Sequence, residues 1–119
     1  MKHILTPILL LVFLFPSLAL SEEVTFDDLV NRDGLFYKKD TDIPFSGKVT
    51  IGGKDPYQEE GTYKKGLREG PFVSFHNNGQ LKYKGSYKDG KVEGAWEEYY
   101  DKGQLMYKGN YKDGKKVSD

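Results

Sequence analysis

An internal repeat constrains the fold of this chain more than any other feature of its sequence. The segment 70–90 aligns without a gap on the segment 94–114, and both contain Gly-Gln-Leu-x-Tyr-Lys-Gly-x-Tyr-Lys-Asp-Gly. A third, eroded copy with a one-position deletion begins at Gly47, and residues 31–37 resemble half of a copy. A fixed period of this length predicts an array of one supersecondary unit, in which each copy packs on its neighbours.

Each copy has the pattern of a β-hairpin. The segment between Gln80 and Lys88 alternates, which predicts a strand with one packed face and one wet face. The packed face is expected to hold Leu81, Tyr83, Gly85 and Tyr87, and the wet face Lys82, Lys84, Ser86 and Lys88. Asn-Gly and Asp-Gly bracket this strand and supply the positive φ angles of tight hairpin turns. The positions that we expect to build the repeat are Gly70, Phe72, Gly79, Leu81, Tyr83, Gly85, Tyr87, Gly90, Gly94, Trp96, Gly103, Leu105, Tyr107, Gly109, Tyr111 and Gly114.

The expected fold is all-β: an elongated, single, twisted antiparallel sheet of repeated hairpins, preceded by a helical signal peptide. An isolated hairpin is marginally stable in water, so stability should accumulate along the array. The boundaries that we assign are 1–21 for the signal peptide, 22–46 for a leader with a partial repeat, and 47–69, 70–93 and 94–116 for the repeats within 47–119.

Two irregularities of the repeat need a structural explanation. Phe72 and Phe75 are three positions apart, as are Trp96 and Tyr99, so the members of each pair cannot share a face of a flat strand. A bulge, or a strand that ends before Phe75, would reconcile them. Gly85 and its equivalent one repeat on stand inside strands, where glycine lowers stability unless something packs closely on the bare backbone. We expect the ring of Phe72 or Trp96 on the adjacent strand to lie there.

The N-terminal segment 1–21 has the features of an export signal. A short positive start precedes an apolar run, and small residues at Ala19 and Ser21 fit cleavage by signal peptidase before Glu22. The expected location is therefore the periplasm or the medium, after cleavage near Ser21. The alternative is a retained N-terminal membrane anchor, because residues 4–20 reach the lower edge of the length of a membrane span.

The composition of the chain excludes several kinds of site and a large aliphatic core. The chain has no Cys, 9 Tyr, 7 Phe and 1 Trp, and 18 basic residues balance 18 acidic ones. Without Cys, a disulfide scaffold, a Cys metal site and a Cys nucleophile are excluded. After the apolar N-terminus the chain is too poor in aliphatic residues for a large core, so tyrosines must serve as half-buried packing material.

The sequence shows no constellation for catalysis or for a cofactor. His76 is the one histidine after Ser21, and the equivalent position of the next copy is Tyr100, so neither a Ser-His-acid set nor a metal site is expected. Neighbouring carboxylates such as Glu97 and Glu98 point to opposite faces of a strand and cannot act on one substrate atom. The glycines do not form a phosphate-binding loop. We expect a non-enzymatic protein without cofactor or metal.

The motif Gly-x-[Trp/Phe]-x-x-[Tyr/Phe], followed by Gly-x-Leu-x-Tyr-x-Gly-x-Tyr-Lys-x-Gly-Lys, resembles the bacterial variant of the MORN repeat over roughly residues 29–116. The resemblance implies a hairpin array. Members of that family include secreted proteins and chains labelled as antitoxins of toxin-antitoxin systems, and MORN units in general are linked to protein scaffolding and to membranes.

Two features depart from the family pattern. Glu59 stands where later copies have tyrosine, and Gly52-Gly53 stands where an aromatic residue is expected, so this end of the array should be less well packed. The export signal argues against neutralisation of a cytoplasmic toxin.

Charge and aromatic residues indicate a binding surface. Residues 22–60 carry ten acids and five bases, whereas residues 61–119 carry eight acids and twelve bases. The candidate interaction surface is Phe75, Tyr99, Tyr100, Lys82, Lys84, Lys108 and Lys112. Two interpretations of its lysines remain open: protection of the surface and edges of a thin sheet, or a basic stripe for an anionic partner.

These observations favour an exported module for protein–protein interaction with an unidentified protein partner. The alternatives are a peripheral binder of anionic envelope lipid or polysaccharide, and an antitoxin-like or immunity-like inhibitor of a toxin. Rows of Tyr beside Lys can stack bases, but nucleic acid is not expected as the partner of an exported chain. The sequence assigns no oligomeric state.

Overall fold

The computed structural model describes residues 22–54 and 58–118, which belong almost entirely to strands and to the turns between them. The predicted all-β fold is confirmed there, and the predicted signal peptide lies outside these residues. One turn of 3-10 helix, Phe26–Asp28, follows the first strand. Within the two described ranges, no helix is long and apolar enough to cross a membrane. The strands are β1 (Glu22–Thr25), β2 (Leu29–Arg32), β3 (Leu35–Lys38), β4 (Gly47–Thr50), β5 (Gln58–Lys64), β6 (Leu67–Phe75), β7 (Leu81–Lys88), β8 (Lys91–Val92), β9 (Gly94–Tyr99), β10 (Leu105–Lys112) and β11 (Lys115–Ser118).

Nine strands form one sheet in the order β1-β4-β5-β6-β7-β9-β10-β11, with β8 paired to β7. The repeats are antiparallel as predicted, but the leader is not: β1 lies parallel to β4, and β2 and β3 form a separate two-stranded sheet. The prediction of a single antiparallel sheet was therefore wrong for the leader. The first repeat has no preceding copy to cover its rings, and the leader provides the cover: the ring of Phe36 meets that of Tyr63 edge-on, with centroids 5.2 Å apart.

The hairpin turns explain why Asp-Gly recurs in the sequence. Asp89 and Gly90 have φ angles of 50° and 82°, and Asp113 and Gly114 have 51° and 83°. Two successive residues with positive φ define the turn whose twist matches that of the flanking strands. The dipeptide thus fixes the register of each hairpin.

The spacing of Phe72 and Phe75 has a simpler explanation than the predicted bulge or early strand end, and that prediction was wrong. Residues 72–75 of β6 pair without interruption with residues 58–61 of β5, and β6 includes Phe75, so the two phenylalanines lie on opposite faces of the sheet.

A bulge is present instead on the neighbouring strand β7. The ladder between β6 and β7 pairs Ser74 with Tyr83 and then Phe75 with Leu81, which leaves Lys82 as an extra residue. The ladder between β9 and β10 shifts at the same place, one repeat later. The shift groups Leu81 with Phe75 rather than with the row of Tyr83, so the prediction that Leu81 continues that row was wrong.

A row of glycines and rings runs across the sheet. The register places Phe72 between Gly61 and Gly85, and Trp96 opposite Gly109. A Cβ atom added to Gly61 would lie 2.5 Å from the Phe72 ring, and one added to Gly85 would collide with the ring of Trp96. Rings therefore lie on bare backbone, as expected for Gly85, and this explains why glycine occupies the middle of these strands.

The first repeat is well packed at Glu59, and the prediction drawn from this residue was wrong. The Glu59 carboxylate is buried and accepts hydrogen bonds from the hydroxyls of Tyr63 at 3.0 Å and Tyr83 at 2.9 Å. Its ion pair with Arg68 measures 3.1 Å. A buried charge is tolerated when it is paired and hydrogen-bonded, so the carboxylate takes the place of the missing tyrosine ring.

Each Asp-Gly turn is hydrogen-bonded to a glutamate of the preceding repeat, and this contact recurs from one copy to the next. The Asp89 N–H donates to the Glu69 carboxylate at 2.9 Å, and the Asp113 N–H donates to the Glu93 carboxylate at 3.1 Å. These glutamates stand at equivalent positions of adjacent copies. Each turn is therefore held by the copy before it, which is how a repeat array transmits order along its length.

Candidate interaction surface

The repeat sheet has two faces of different character. The covered face holds the row of rings and glycines and, near the N-terminal end, the leader that packs on it. The open face holds the residues that alternate with them. There Val73, Lys84, Glu97 and Lys108 follow one another in register across four strands. A charged row thus runs on the open face next to the rings of the covered face.

The lysines of the candidate surface do not form an uninterrupted basic stripe. The Lys84 ammonium lies 3.7 Å from the Glu97 carboxylate, and Lys108 faces Glu97 from the other side. Lys112 forms a similar pair with Glu93 at 3.9 Å. Exposed pairs of this kind stabilise the fold by at most about 1 kcal/mol. They nevertheless neutralise much of the positive charge that the sequence alone suggested for this face.

Tyr99 belongs to the same charged cluster. Its hydroxyl donates a hydrogen bond of 2.6 Å to the Glu97 carboxylate. This bond lowers the pKa of Glu97, helped by the nearby charges of Lys84 and Lys108. The same bond raises the pKa of Tyr99, because ionising the phenol would place two negative charges side by side. The structure therefore brings three predicted residues, Tyr99, Lys84 and Lys108, around one carboxylate that the sequence analysis did not assign to the surface.

The remaining predicted residues are spread around this cluster. Phe75 is half-buried on β6, two strands away from Tyr99 on β9, which corresponds to about 10 Å across the sheet. Lys82 is the extra residue of the bulge and is exposed. Tyr100 follows the end of β9 and is 52% exposed. Phe75, Tyr99 and Tyr100 therefore do not form one exposed aromatic strip.

Exposed apolar side chains gather in the last repeat. Leu105 and Met106 begin β10 and are 51% and 46% exposed, next to Tyr100, whose N–H donates to the carbonyl of Gln104. Val117 in β11 is 62% exposed. We refer to residues 105–109 of β10 together with β11 as the C-terminal edge. Leu105 was expected at a structural position of the repeat, whereas Met106 and Val117 were not predicted to belong to a surface. In the described residues no strand pairs with residues 105–109 of β10 on the side away from β9.

Arg68 was also missed by the sequence analysis. Its guanidinium carbon lies between 5.1 and 5.7 Å from the centres of four aromatic rings, at distances that allow cation–π attraction. The next copy has Val92 at the equivalent position, so the repeat itself gave no reason to select an arginine. Together with Glu59, Arg68 forms a buried polar centre of the first repeat. The four rings are those of Phe36, Tyr63, Phe72 and Tyr87.

His76 has a structural contact. One ring nitrogen, Nε2, lies 2.8 Å from the carbonyl oxygen of Tyr99, and the amide of Asn78 donates to the carbonyl of Asp101 at 2.7 Å. Both bonds tie a turn of one repeat to the next repeat. In the described part of the chain, no group of three or more His, Cys, Asp or Glu residues is arranged to hold a metal ion.

Comparison with protein families agrees with the geometry of the repeats. Residues 68–89 and residues 92–113 each match the family model of the MORN repeat variant. Two adjacent hairpins of the chain are thus similar to this repeat. Their starts, at Arg68 and Val92, occupy equivalent positions of successive hairpins in the sheet. Neither a search of curated proteins nor a search of solved structures gave a significant match.

Proposed function

We propose that this chain is exported, is cleaved near Ser21, and acts as a non-enzymatic module for protein–protein interaction. The observation that carries the proposal is the exposed apolar group formed by Tyr100, Leu105 and Met106 in the last repeat. Exposed apolar groups bounded by polar residues mark contact surfaces, and Lys108 adjoins this group. The two hairpins that are similar to the MORN repeat support a binding role, because such repeats are commonly modules for binding protein or lipid.

A protein partner fits this surface better than an anionic membrane does. A lysine near an anionic membrane gains about 1 kcal/mol. Lys84 and Lys112 already face glutamates on their own sheet, which reduces that attraction. The excess of basic residues in 61–119 nevertheless keeps anionic envelope lipid or polysaccharide as the second candidate.

Site-specific photo-crosslinking in the exporting cell tests the proposal. A crosslinker at Met106 is expected to capture one discrete protein. The matched control is a crosslinker at Ile43, which is apolar and 78% exposed but lies in the leader. Capture of the same proteins at both positions, or of none at Met106, would contradict the proposal. In the same samples the N-terminus of the mature chain should be Glu22, and an uncleaved chain in the membrane fraction would support the anchor instead.

Vesicle flotation distinguishes binding of anionic lipid, the second candidate, from the proposed binding of a protein. The mature chain is mixed with vesicles of anionic phospholipid at low and at moderate ionic strength. The proposal predicts no flotation at either. Flotation at low salt that disappears at moderate salt would favour the lipid candidate, because exposed charges are screened over about 10 Å at about 0.1 M salt.

A further inference from the structure

Two equivalent strands of this protein have different surroundings. Strand β7 lies inside the sheet, between β6 and β9. Strand β10, which has nearly the same sequence one copy later, pairs with β9 on one side. On its other side, β11 pairs with residues 110–112 alone. Residues 105–109 of β10 therefore present a backbone edge without a strand partner in the described part of the chain. Such an edge is a template for an added strand.

The pairing of β9 with β7 inside the sheet shows which kind of strand fits this edge, because β7 is the interior equivalent of β10. Strand β9 lies beside β7 with the ring of Trp96 on Gly85 and stacked on Tyr83, the two ring centroids being 4.7 Å apart. The next residue of β9, Glu97, forms the ion pair with Lys84. The strand that fits β7 is therefore extended and acidic, with one ring that lies on the glycine.

At the C-terminal edge the same three positions are Tyr107, Lys108 and Gly109. In the described residues their backbone pairs with β9 alone, although the Lys116 ammonium of β11 lies 5.2 Å from the centre of the Tyr107 ring. A Cβ atom on Gly109 would lie 2.6 Å from the hydroxyl of Tyr107, which is on the same strand. That hydroxyl is 2.9 Å from the hydroxyl of Tyr111. In the preceding copy, the Trp96 ring of the neighbouring strand fills the space on Gly85. In the last copy, the Tyr107 side chain of the same strand fills the equivalent space on Gly109.

We propose that residues 105–109 bind an extended acidic segment of a protein partner by adding it to the sheet as a further strand. An aromatic ring of this segment displaces the Tyr107 side chain from Gly109 and lies there itself, and the following carboxylate pairs with Lys108. Backbone hydrogen bonds hold such a strand, and side-chain positions select its sequence. This inference rests on the proposed function, because it names the chemistry of the partner that the interaction module binds.

A second copy of the chain fits this edge less well than an acidic partner does. Two β11 strands side by side would bring Lys115 and Lys116 of each copy together, and like charges across strands are destabilising. The opposite end of the sheet, β1, is acidic but has no aromatic residue. In addition, the Thr25 N–H of β1 already donates to the Asp28 carboxylate at 3.0 Å.

The probe that tests the inference is a fluorescent peptide with the sequence of residues 93–99, Glu-Gly-Ala-Trp-Glu-Glu-Tyr. Its binding to the full mature chain is measured by fluorescence polarisation. Replacing its Trp by Ala, or the Glu after Trp by Lys, should weaken binding at least tenfold. The protein variant Lys108→Glu should lose binding to the same extent and should regain it with the Lys peptide. Equal binding of all peptides would overturn the inference.

Two controls make the result specific. If the peptide instead displaced β9 from its own sheet, Lys84→Glu would weaken binding as Lys108→Glu does, and this outcome would also overturn the inference. Both lysines are exposed, so neither change should prevent folding. Sedimentation should show a monomer. A dimer that the peptide dissociates would assign the edge to a second copy and reject the acidic partner.

The peptide test and the crosslinking test fail independently. A peptide that does not bind, together with a discrete crosslink at Met106, would reject strand addition and leave the interaction module in place. A peptide that binds as described, together with no crosslink at Met106 in the cell, would contradict the proposed function while confirming the chemistry of the edge.

Discussion

The contact between Trp96 and Gly85 yields the most informative test of the fold. Trp96 is 8% exposed, stacks on Tyr83, meets Tyr87 edge-on at 5.8 Å, and donates a hydrogen bond of 2.9 Å from Nε1 to Glu98. Replacing Trp96 by Ala removes all of these contacts at once. It also bares the backbone of Gly85, on which the ring lies.

The expected loss of stability follows from the buried area. A Trp side chain buries about 150–250 Å², which at about 25 cal/mol per Å² corresponds to roughly 4–6 kcal/mol. Large-to-small changes of buried Trp typically cost about 3–5 kcal/mol. The sheet is thin, so the neighbouring rings and water can partly fill the space. We therefore expect Trp96→Ala to lower the free energy of unfolding by about 3–4 kcal/mol.

A double-mutant cycle isolates the contact itself. Gly85→Ala alone places a Cβ atom too close to the Trp96 ring and should lower the free energy of unfolding by about 1–3 kcal/mol through overpacking. In the absence of the ring this methyl group has room. The double variant should therefore lose about 1–2 kcal/mol less than the sum of the single variants, a coupling of the size seen for residues in contact.

Urea unfolding followed by circular dichroism measures both effects. Circular dichroism is needed because Trp96 is the one Trp of the chain, and its removal abolishes the fluorescence signal. A loss below about 1 kcal/mol for Trp96→Ala, or strict additivity of the two changes, would refute the ring-on-glycine packing. Trp96→Phe, which keeps a ring on the glycine, is the matched control and should retain most of the stability.

Three further predictions follow from the packing. Glu59→Gln should lower the free energy of unfolding by about 2–3 kcal/mol in urea titrations, because breaking a buried ion pair leaves the Arg68 charge uncompensated; a neutral effect would show that the pair is not needed. Tyr99→Phe should weaken the acid dependence of stability. In the folded chain the pKa of Glu97 lies below its ordinary value of 4.5, so the stabilising effect is present above that value and is lost as pH falls through the folded pKa. Stability curves measured from acid to neutral pH that coincide with those of the unaltered chain would contradict this reasoning. Deleting residues 91–114, one repeat, should leave a chain that still unfolds cooperatively, whereas deleting half of that segment should abolish folding; cooperative unfolding of the half-deletion would reject the register.

Features that depend on neighbours within one copy could be predicted from the sequence. Alternation placed Tyr83 on the packed face, and Asp-Gly marked the turns. The ring on Gly85 could also be predicted, because an interior glycine is costly unless a neighbour fills the space that a Cβ atom would occupy. These signals are local, and each copy repeats them.

Features that depend on the ends of the array could not be predicted in this way. The repeat offers no template for the leader, so neither the parallel pairing of β1 nor the separate β2–β3 sheet follows from it. Glu59 looked like a defect because it departs from the tyrosine of later copies. Its carboxylate instead accepts hydrogen bonds from Tyr63 on the same strand and from Arg68 and Tyr83 on the next two strands, so the repeat pattern alone did not reveal its role.

The two ends of the sheet differ in a way that supports the proposed strand addition at the C-terminal edge. A repeat array is stable when each copy is covered, and uncovered ends require a cap. At the N-terminal end the leader supplies that cap, with Phe36 packed on the first repeat and the polar pair Glu59 and Arg68 beneath it. At the other end Tyr107 lies on Gly109 in place of a further strand, and Leu105 stays half exposed. In the described residues no strand covers 105–109 of β10 on the side away from β9, and this is the observation that favours the addition of a partner strand there.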